Sequence, residues 1–260
     1  MNRIQKNIDA TAKTPWFKSW FDSAYYHHLY QHRNDDEAKE LIDALLEELN
    51  PQPGGIMLDL GCGSGRHSKY LASKGYNVLG MDLAFSSIRE ARKHESSSLH
   101  FMQADMRQPF GKNKFDFVFN FFTSFGYCKQ RSENENIVRH IIASLKPGGT
   151  VVFDYLNVAY AEEHLVPVEE KEIDGVLYHI NRWADAHFIY KRIAIYDRQA
   201  TSPQVHIEQV ARFGLWDFEQ MLLANGGQII NCFGDYNLDV YDPVKSKRLL
   251  LVAKKIIDWE

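Results

Sequence analysis

The sequence predicts an α/β fold, a doubly wound sheet of seven strands. Three observations predict it. Short apolar runs alternate with amphipathic helical stretches from Ile56 to Tyr155. A glycine-rich bend, Gly61-Cys62-Gly63-Ser64-Gly65, follows the first of these runs. Lys146-Pro147-Gly148-Gly149 closes the last helix of the series before another apolar run. Strands and helices in this rhythm imply parallel pairing through right-handed crossovers.

Taken in order, Trp16 to Tyr30 is an aromatic helical stretch, with i, i+4 pairs Trp16–Trp20, Phe17–Phe21 and Tyr26–Tyr30. Asp35 to Leu49 carries Ala38, Leu41, Ile42, Leu45, Leu46 and Leu49 on one helical face and ends at Asn50-Pro51. Strands follow at Ile56–Leu60, Asn77–Asp82, Leu99–Ala104, Phe115–Phe122 and Thr150–Tyr155. The helices between them are Arg66–Lys74, Ser86–Lys93 and Ser132–Leu145. After Asn157 the rhythm breaks. Val168–Ile173 and Val176–Trp183 flank Asp174-Gly175, a hairpin signal, and His187–Tyr196 and Val205–Phe213 extend an antiparallel insertion. The α/β pattern resumes with a helix at Leu215–Asn225 and strands at Gln228–Phe233 and Leu249–Lys255. Four regions result: a helical segment over 1–50, the sheet core over 51–157, the insertion over 158–213 and a completion of the core over 214–260.

A chain of 260 residues suits one domain, or one domain with a sizeable insertion. Its hydrophobic fraction of 45% and charged fraction of 25% are those of a globular protein. A net charge of −4 gives no general electrostatic reason to bind nucleic acid or an anionic membrane. The basic cluster Lys245-Ser246-Lys247-Arg248 is expected to be a solvated loop. No stretch approaches the ~20 apolar residues of a membrane span. Three cysteines without a C-x-x-C, and a polar stretch over Met1–Thr14, lead to the expectation of a reducing, cytoplasmic setting. Eleven histidines include no H-E-x-x-H, so no metal is expected.

The glycine bend could take more than one ligand. In the dinucleotide fingerprint G-x-G-x-x-G the third glycine packs helix against strand. Here Gly65 comes one residue early and Arg66 stands in its place. Asp82 ends the second strand roughly 20 residues on, where a carboxylate can accept both hydroxyls of a ribose; a turn aspartate is the plainer alternative. Asp105 follows the third strand with Met106 beside it, placed to meet an adenine amino group and ring, or to cap a helix. Polar Asn120 interrupts the apolar fourth strand near its carboxyl end, where its amide could reach a ligand or be satisfied by neighbouring backbone. Phe121 and Phe122 either wall that site or belong to the core.

Together, Asp59-x-Gly61-x-Gly63-x-Gly65, Asp82, Asp105-Met106 and Lys146-Pro147-Gly148-Gly149 resemble, in order and spacing over Ile56 to Lys255, the class I S-adenosylmethionine (SAM) methyltransferases. Tyr26-x-x-x-Tyr30-x-x-Arg33, Asp105-Met106-Arg107 and Ser124-Phe125-Gly126-Tyr127 are similar to a small-molecule subgroup that includes the N,N-dimethyltransferases of amino-sugar biosynthesis. The resemblance implies a sheet of six parallel strands and an antiparallel last strand, SAM as cofactor, S-adenosylhomocysteine (SAH) as product, and a small-molecule acceptor methylated at N or O. It carries Gly61 and Gly63, with Cys62 between them, to the SAM backbone contacts, Asp82 and the adjacent Leu83 to the ribose region, and Asp105-Met106 to the adenine. It further implies an N-terminal helical lid, Tyr26 and Tyr30 covering SAM and Arg33 pairing with its carboxylate through a fork of donors. Asn120 and Phe121 are expected at the methionine end.

No general base is named, since displacement at a sulfonium-activated carbon needs alignment more than acid–base help. Tyr127, His179 and Tyr236 are possible acceptor-side groups. Tyr160, Tyr178, Trp183, Phe188 and Tyr190 either line an acceptor pocket or form the insertion's own core. The fourth strand does not end in the Asn-Pro-Pro-Tyr of base-modifying DNA methyltransferases, which with the negative net charge argues against a nucleic-acid acceptor. The alternative readings are a methyltransferase acting on RNA or protein and a SAM-binding regulatory subunit without turnover. The oligomeric state is left open.

Overall fold

A computed structural model describes residues 15–31 and 35–256. Five strands form the parallel part of the main sheet in its first half: β1 (Ile56–Leu60), β2 (Asn77–Asp82), β3 (Leu99–Gln103), β4 (Phe115–Asn120) and β5 (Leu145–Leu156). With β10 (Gly227–Phe233) and β11 (Arg248–Lys255) they take the order β10-β11-β5-β4-β1-β2-β3. Only β11 is antiparallel to its neighbours, so six strands share one direction, as the resemblance implies. Met57, Leu58 and Leu60 of β1 are all buried, because helices cover both faces of the sheet.

One core packs α6 (Arg131–Ser144) and α8 (Leu215–Leu223) against the sheet. The other packs α3 (Asp35–Leu49), α4 (Arg66–Ser73) and α5 (Phe85–Ala91) on the opposite face. A second sheet, β6 (Val168–Ile173), β7 (Val176–Ala184), β8 (Phe188–Asp197) and β9 (Gln204–Ala211), is an antiparallel meander. Its first turn uses Asp174 and Gly175 at φ of 47° and 81°, the two left-handed positions that a two-residue hairpin requires.

The structure departs from the sequence reading in four places. The aromatic stretch is two helices, α1 (Trp16–Phe21) and α2 (Ala24–Leu29), because Ser23 caps the second by accepting the Tyr26 N–H at 3.1 Å. β4 stops at Asn120, because Phe122 and Thr123 both turn to a φ of 58°. β5 begins at Leu145, and Lys146-Pro147-Gly148-Gly149 bulges out of its pairing with β4. A short helix, α7 (Val158–Glu163), precedes the meander.

α1 and α2 pack against the meander through Trp20, Leu29, Tyr178, Ile180, Ile193 and Ile195. Polar contacts repeat that attachment: Tyr25 donates to Asp197 at 2.8 Å, and His28 Nδ1 lies 2.6 Å from the Tyr178 hydroxyl. On the main sheet's side, Asp22 and His27 contact Ser86, and Trp16, Phe17 and Phe21 pack on the Tyr127 ring.

Candidate active site

The carboxyl ends of β1 to β4 open onto one cavity of about 650 Å³. Trp16, Phe17, Phe21, Tyr26 and Tyr30 wall it on the side of α1 and α2. The glycine bend forms its floor. Gly65 stands at φ 81° as the cap of α4, and a Cβ there would come within 2.5 Å of the Phe101 ring. That contact explains the early third glycine: it lets α4 seat closely on β3. A Cβ on Gly61 would meet Ser124 Cβ at 2.6 Å, so the bend also touches the segment after β4. Gly63, at φ 55°, has open space where its Cβ would stand, which leaves its backbone approachable from the cavity.

Asp82 lies at the end of β2 with its carboxylate in the wall. Oδ2 accepts the Gly63 N–H and Oδ1 the Ala84 N–H, each at 2.8 Å. Burial raises its pKa, opposed by those backbone donors. Asp105 receives Arg107 in a bidentate pair, Nη2 to Oδ2 at 2.6 Å and Nε to Oδ1 at 3.0 Å. Burial works against the Asp105 charge, but the hydrogen bonds from Arg107 outweigh it and hold its pKa below the usual carboxylate range. Arg107 also lies over the Phe17 ring at 5.3 Å, joining β3's end to α1.

Of the residues expected to bind cofactor, Tyr26, Tyr30, Gly61, Cys62, Gly63, Asp82, Leu83, Asp105, Met106 and Phe121 line this one cavity. Asn120 does not line it. It is buried, and its Nδ2 donates to the Leu60 carbonyl at 2.7 Å, tying β4 to the start of the glycine bend. Arg33 lies outside the described residues. Among the possible acceptor-side groups, Tyr127 lines the cavity. Tyr236 donates to Asp154 at 2.9 Å, and His179 sits on the meander 3.9 Å from Glu170.

The insertion's aromatics do not line the cavity; Tyr178 is in the core under α2, and Trp183 stacks on Tyr190. What the insertion does send in is Glu208 and Val210 of β9. Glu208 Oε1 accepts Trp20 Nε1 at 2.6 Å and the Tyr30 hydroxyl at 3.1 Å, and Lys191 donates to the same hydroxyl. Burial lowers the Lys191 pKa, opposed by Glu208 nearby. Sequence reasoning missed Glu208; the partial alternation along Val205–Phe213 gave no reason to single it out. It also misjudged Arg248, expected in a solvated loop. Arg248 lines the cavity and pairs with buried Asp154 at 2.6 Å.

Residues 57–149 match the methyltransferase domain family. This chain carries a class I, SAM-dependent methyltransferase domain. The methyltransferase is 28% identical over 246 residues to the Bacillus subtilis protein YqeM, named as a methyltransferase, covering 90% of this chain and 95% of that one. It is 32% identical over 132 residues to the dTDP-3-amino-3,4,6-trideoxy-α-D-glucopyranose N,N-dimethyltransferase of Streptomyces venezuelae, covering 50% and 54% of the two chains. A Vibrio cholerae tRNA U34 carboxymethyltransferase is 24% identical over 271 residues, covering 96% of this chain and 76% of that one. Among solved structures, the SAM-bound amino pentose methyltransferase CalS10 of Micromonospora echinaspora superposes with a TM-score of 0.64 at 20% identity, over 90% of this chain and 97% of that one. Among the described residues of the methyltransferase, no helix is long and apolar enough to cross a membrane, and no group of three His, Cys, Asp or Glu could hold a metal ion.

Proposed function

We propose that the acceptor of this methyltransferase is a small molecule methylated at nitrogen or oxygen. The observation that carries the reading is the aromatic wall. Trp16, Phe17, Phe21, Tyr26 and Tyr30 narrow the way to the glycine bend into a cavity of about 650 Å³, the scale of a cofactor with a modest second ligand. The amino-sugar relatives support the same class. The net charge of −4 offers no field to gather a polyanion such as tRNA.

SAM, when bound, supplies a methyl group already activated by its sulfonium. The residues fit it: the open backbone of Gly63 and the carboxylate of Asp82 suit a ribose, while Asp105 and Met106 suit an adenine. Tyr26 and Tyr30 cover the cavity as part of a lid, which the meander supports through Glu208. The protein's task is then to hold acceptor and donor in line at ~3–3.5 Å and to exclude water, which the aromatic wall serves. Incubation with methyl-labelled SAM and a metabolite extract, separated by size, tests the acceptor class. Label in the small-molecule fraction supports it; label only in RNA, DNA or protein overturns it.

A further inference from the structure

Phe122 and Thr123 both stand at a φ of 58°, directly after β4 and in the cavity wall. Two successive left-handed residues with side chains, one of them β-branched, cost about 1–3 kcal/mol each and persist only when their surroundings hold them. One buried acid holds both. Asp154 of β5 is fully buried; its Oδ2 accepts the Phe122 N–H at 2.7 Å and its backbone carbonyl accepts the Thr123 N–H at 2.8 Å. Arg248 of β11 completes the grip, donating to Asp154 Oδ1 at 2.7 Å and to Thr123 Oγ1 at 2.9 Å. Tyr236 also donates to Asp154 Oδ2, at 2.9 Å, beside the Phe122 N–H. Burial alone would lower the Arg248 pKa; Asp154 outweighs it and raises it.

Sheet order says which part of the cofactor this turn meets. Asp82 and Asp105 follow β2 and β3, on one side of β1; the turn follows β4, on the other. Ser124 within the turn presses on Gly61 of the glycine bend. A cofactor with its ribose and adenine toward β2 and β3 extends its sulfur and amino-acid end toward β4.

We propose that Asp154 and Arg248 are positioning residues that hold the Phe122–Thr123 turn as the wall for the methionine end of the cofactor, leaving the adenosine end to other residues. This rests on the proposed cofactor placement. Calorimetry with SAH and with 5′-methylthioadenosine, which keeps the adenosine and sulfur but lacks the amino-acid end, tests it. In Arg248→Met, SAH affinity should fall about tenfold while methylthioadenosine stays within about twofold. Arg248→Lys, keeping the charge and part of the hydrogen bonding, should recover part of the loss. Thr123→Gly suits the left-handed backbone, folds without Arg248→Met's buried charge defect, and should show the same SAH-selective loss by loosening the turn. Equal losses for both ligands, or no loss in folded variants, overturn the proposal while wild-type binding keeps the placement alive. Wild type binding neither ligand overturns the placement and the proposal with it.

Discussion

The carboxylate of Asp82 accepts the backbone N–H of Gly63 at 2.8 Å, so the end of β2 grips the glycine bend that follows β1. The other oxygen accepts the Ala84 N–H at the same distance, in the turn that leads into α5. One side chain therefore shapes the bend and, on the proposed cofactor placement, meets the ribose. Asp82→Ala should weaken SAM binding by about tenfold or more with the fold retained, consistent with loss of charge-assisted hydrogen bonds of about 1.5–3 kcal/mol. Calorimetry beside a thermal melt checks this. Unchanged affinity means that the ribose is held elsewhere.

Gly65 offers a test of stability. Its φ of 81° and the Phe101 ring 2.5 Å from a built Cβ leave no room for a side chain. Gly65→Ala should cost about 2–5 kcal/mol, the left-handed strain of 1–2 added to overpacking of 1–3. Urea unfolding measures it; a loss under about 1 kcal/mol would show that β3 and α4 have slack.

Asp59 is buried at the end of β1, with Ser68 Oγ donating to it at 2.5 Å. Burial pushes its pKa up to about 6, with the charge of Asp82 adding to the rise and Ser68 opposing it. The folded state thus keeps a proton that the unfolded chain releases near 3.8. Stability from this group is full below that value and is lost as pH rises through about 6. Asp59→Asn removes the titration. The variant's stability relative to wild type should therefore rise between pH 4 and 7, by up to about 3 kcal/mol at 1.36 per pKa unit. Chemical unfolding across that range checks it, and a difference that stays flat contradicts it.

Trp20 ties α1 to the meander by donating to Glu208 at 2.6 Å. Trp20→Phe keeps an aromatic ring but leaves Glu208 short of a donor, weakening the wall over the cavity. SAH release should speed up severalfold in stopped-flow measurements. An unchanged rate would mean that α1 and α2 do not control release.

Much of this was legible in the sequence because it is written in local chemistry. Gly65 and Asp82 stand at fixed offsets from an apolar strand, and Asp174-Gly175 specifies its turn by backbone alone. The break at Ser23 was missed, although a serine three residues before Tyr26 is a helix-cap signal. α7 has six residues, too few for a periodicity to show. The strained turn was not legible, because Phe122 and Thr123 favour ordinary extended backbone and are held turned by the distant Asp154 and Arg248. Nor was Arg248, whose neighbours in sequence are basic while its partner lies 94 residues away. Charge runs suggest solvent; only the fold brings in the buried carboxylate.

The most direct test is a crystal structure of the protein with SAH bound. The account predicts ribose hydroxyls on the Asp82 carboxylate, adenine beside Asp105 and Met106, and the amino-acid end against the Phe122–Thr123 turn. Adenine at the β4 end, or a ribose out of reach of Asp82, would contradict it.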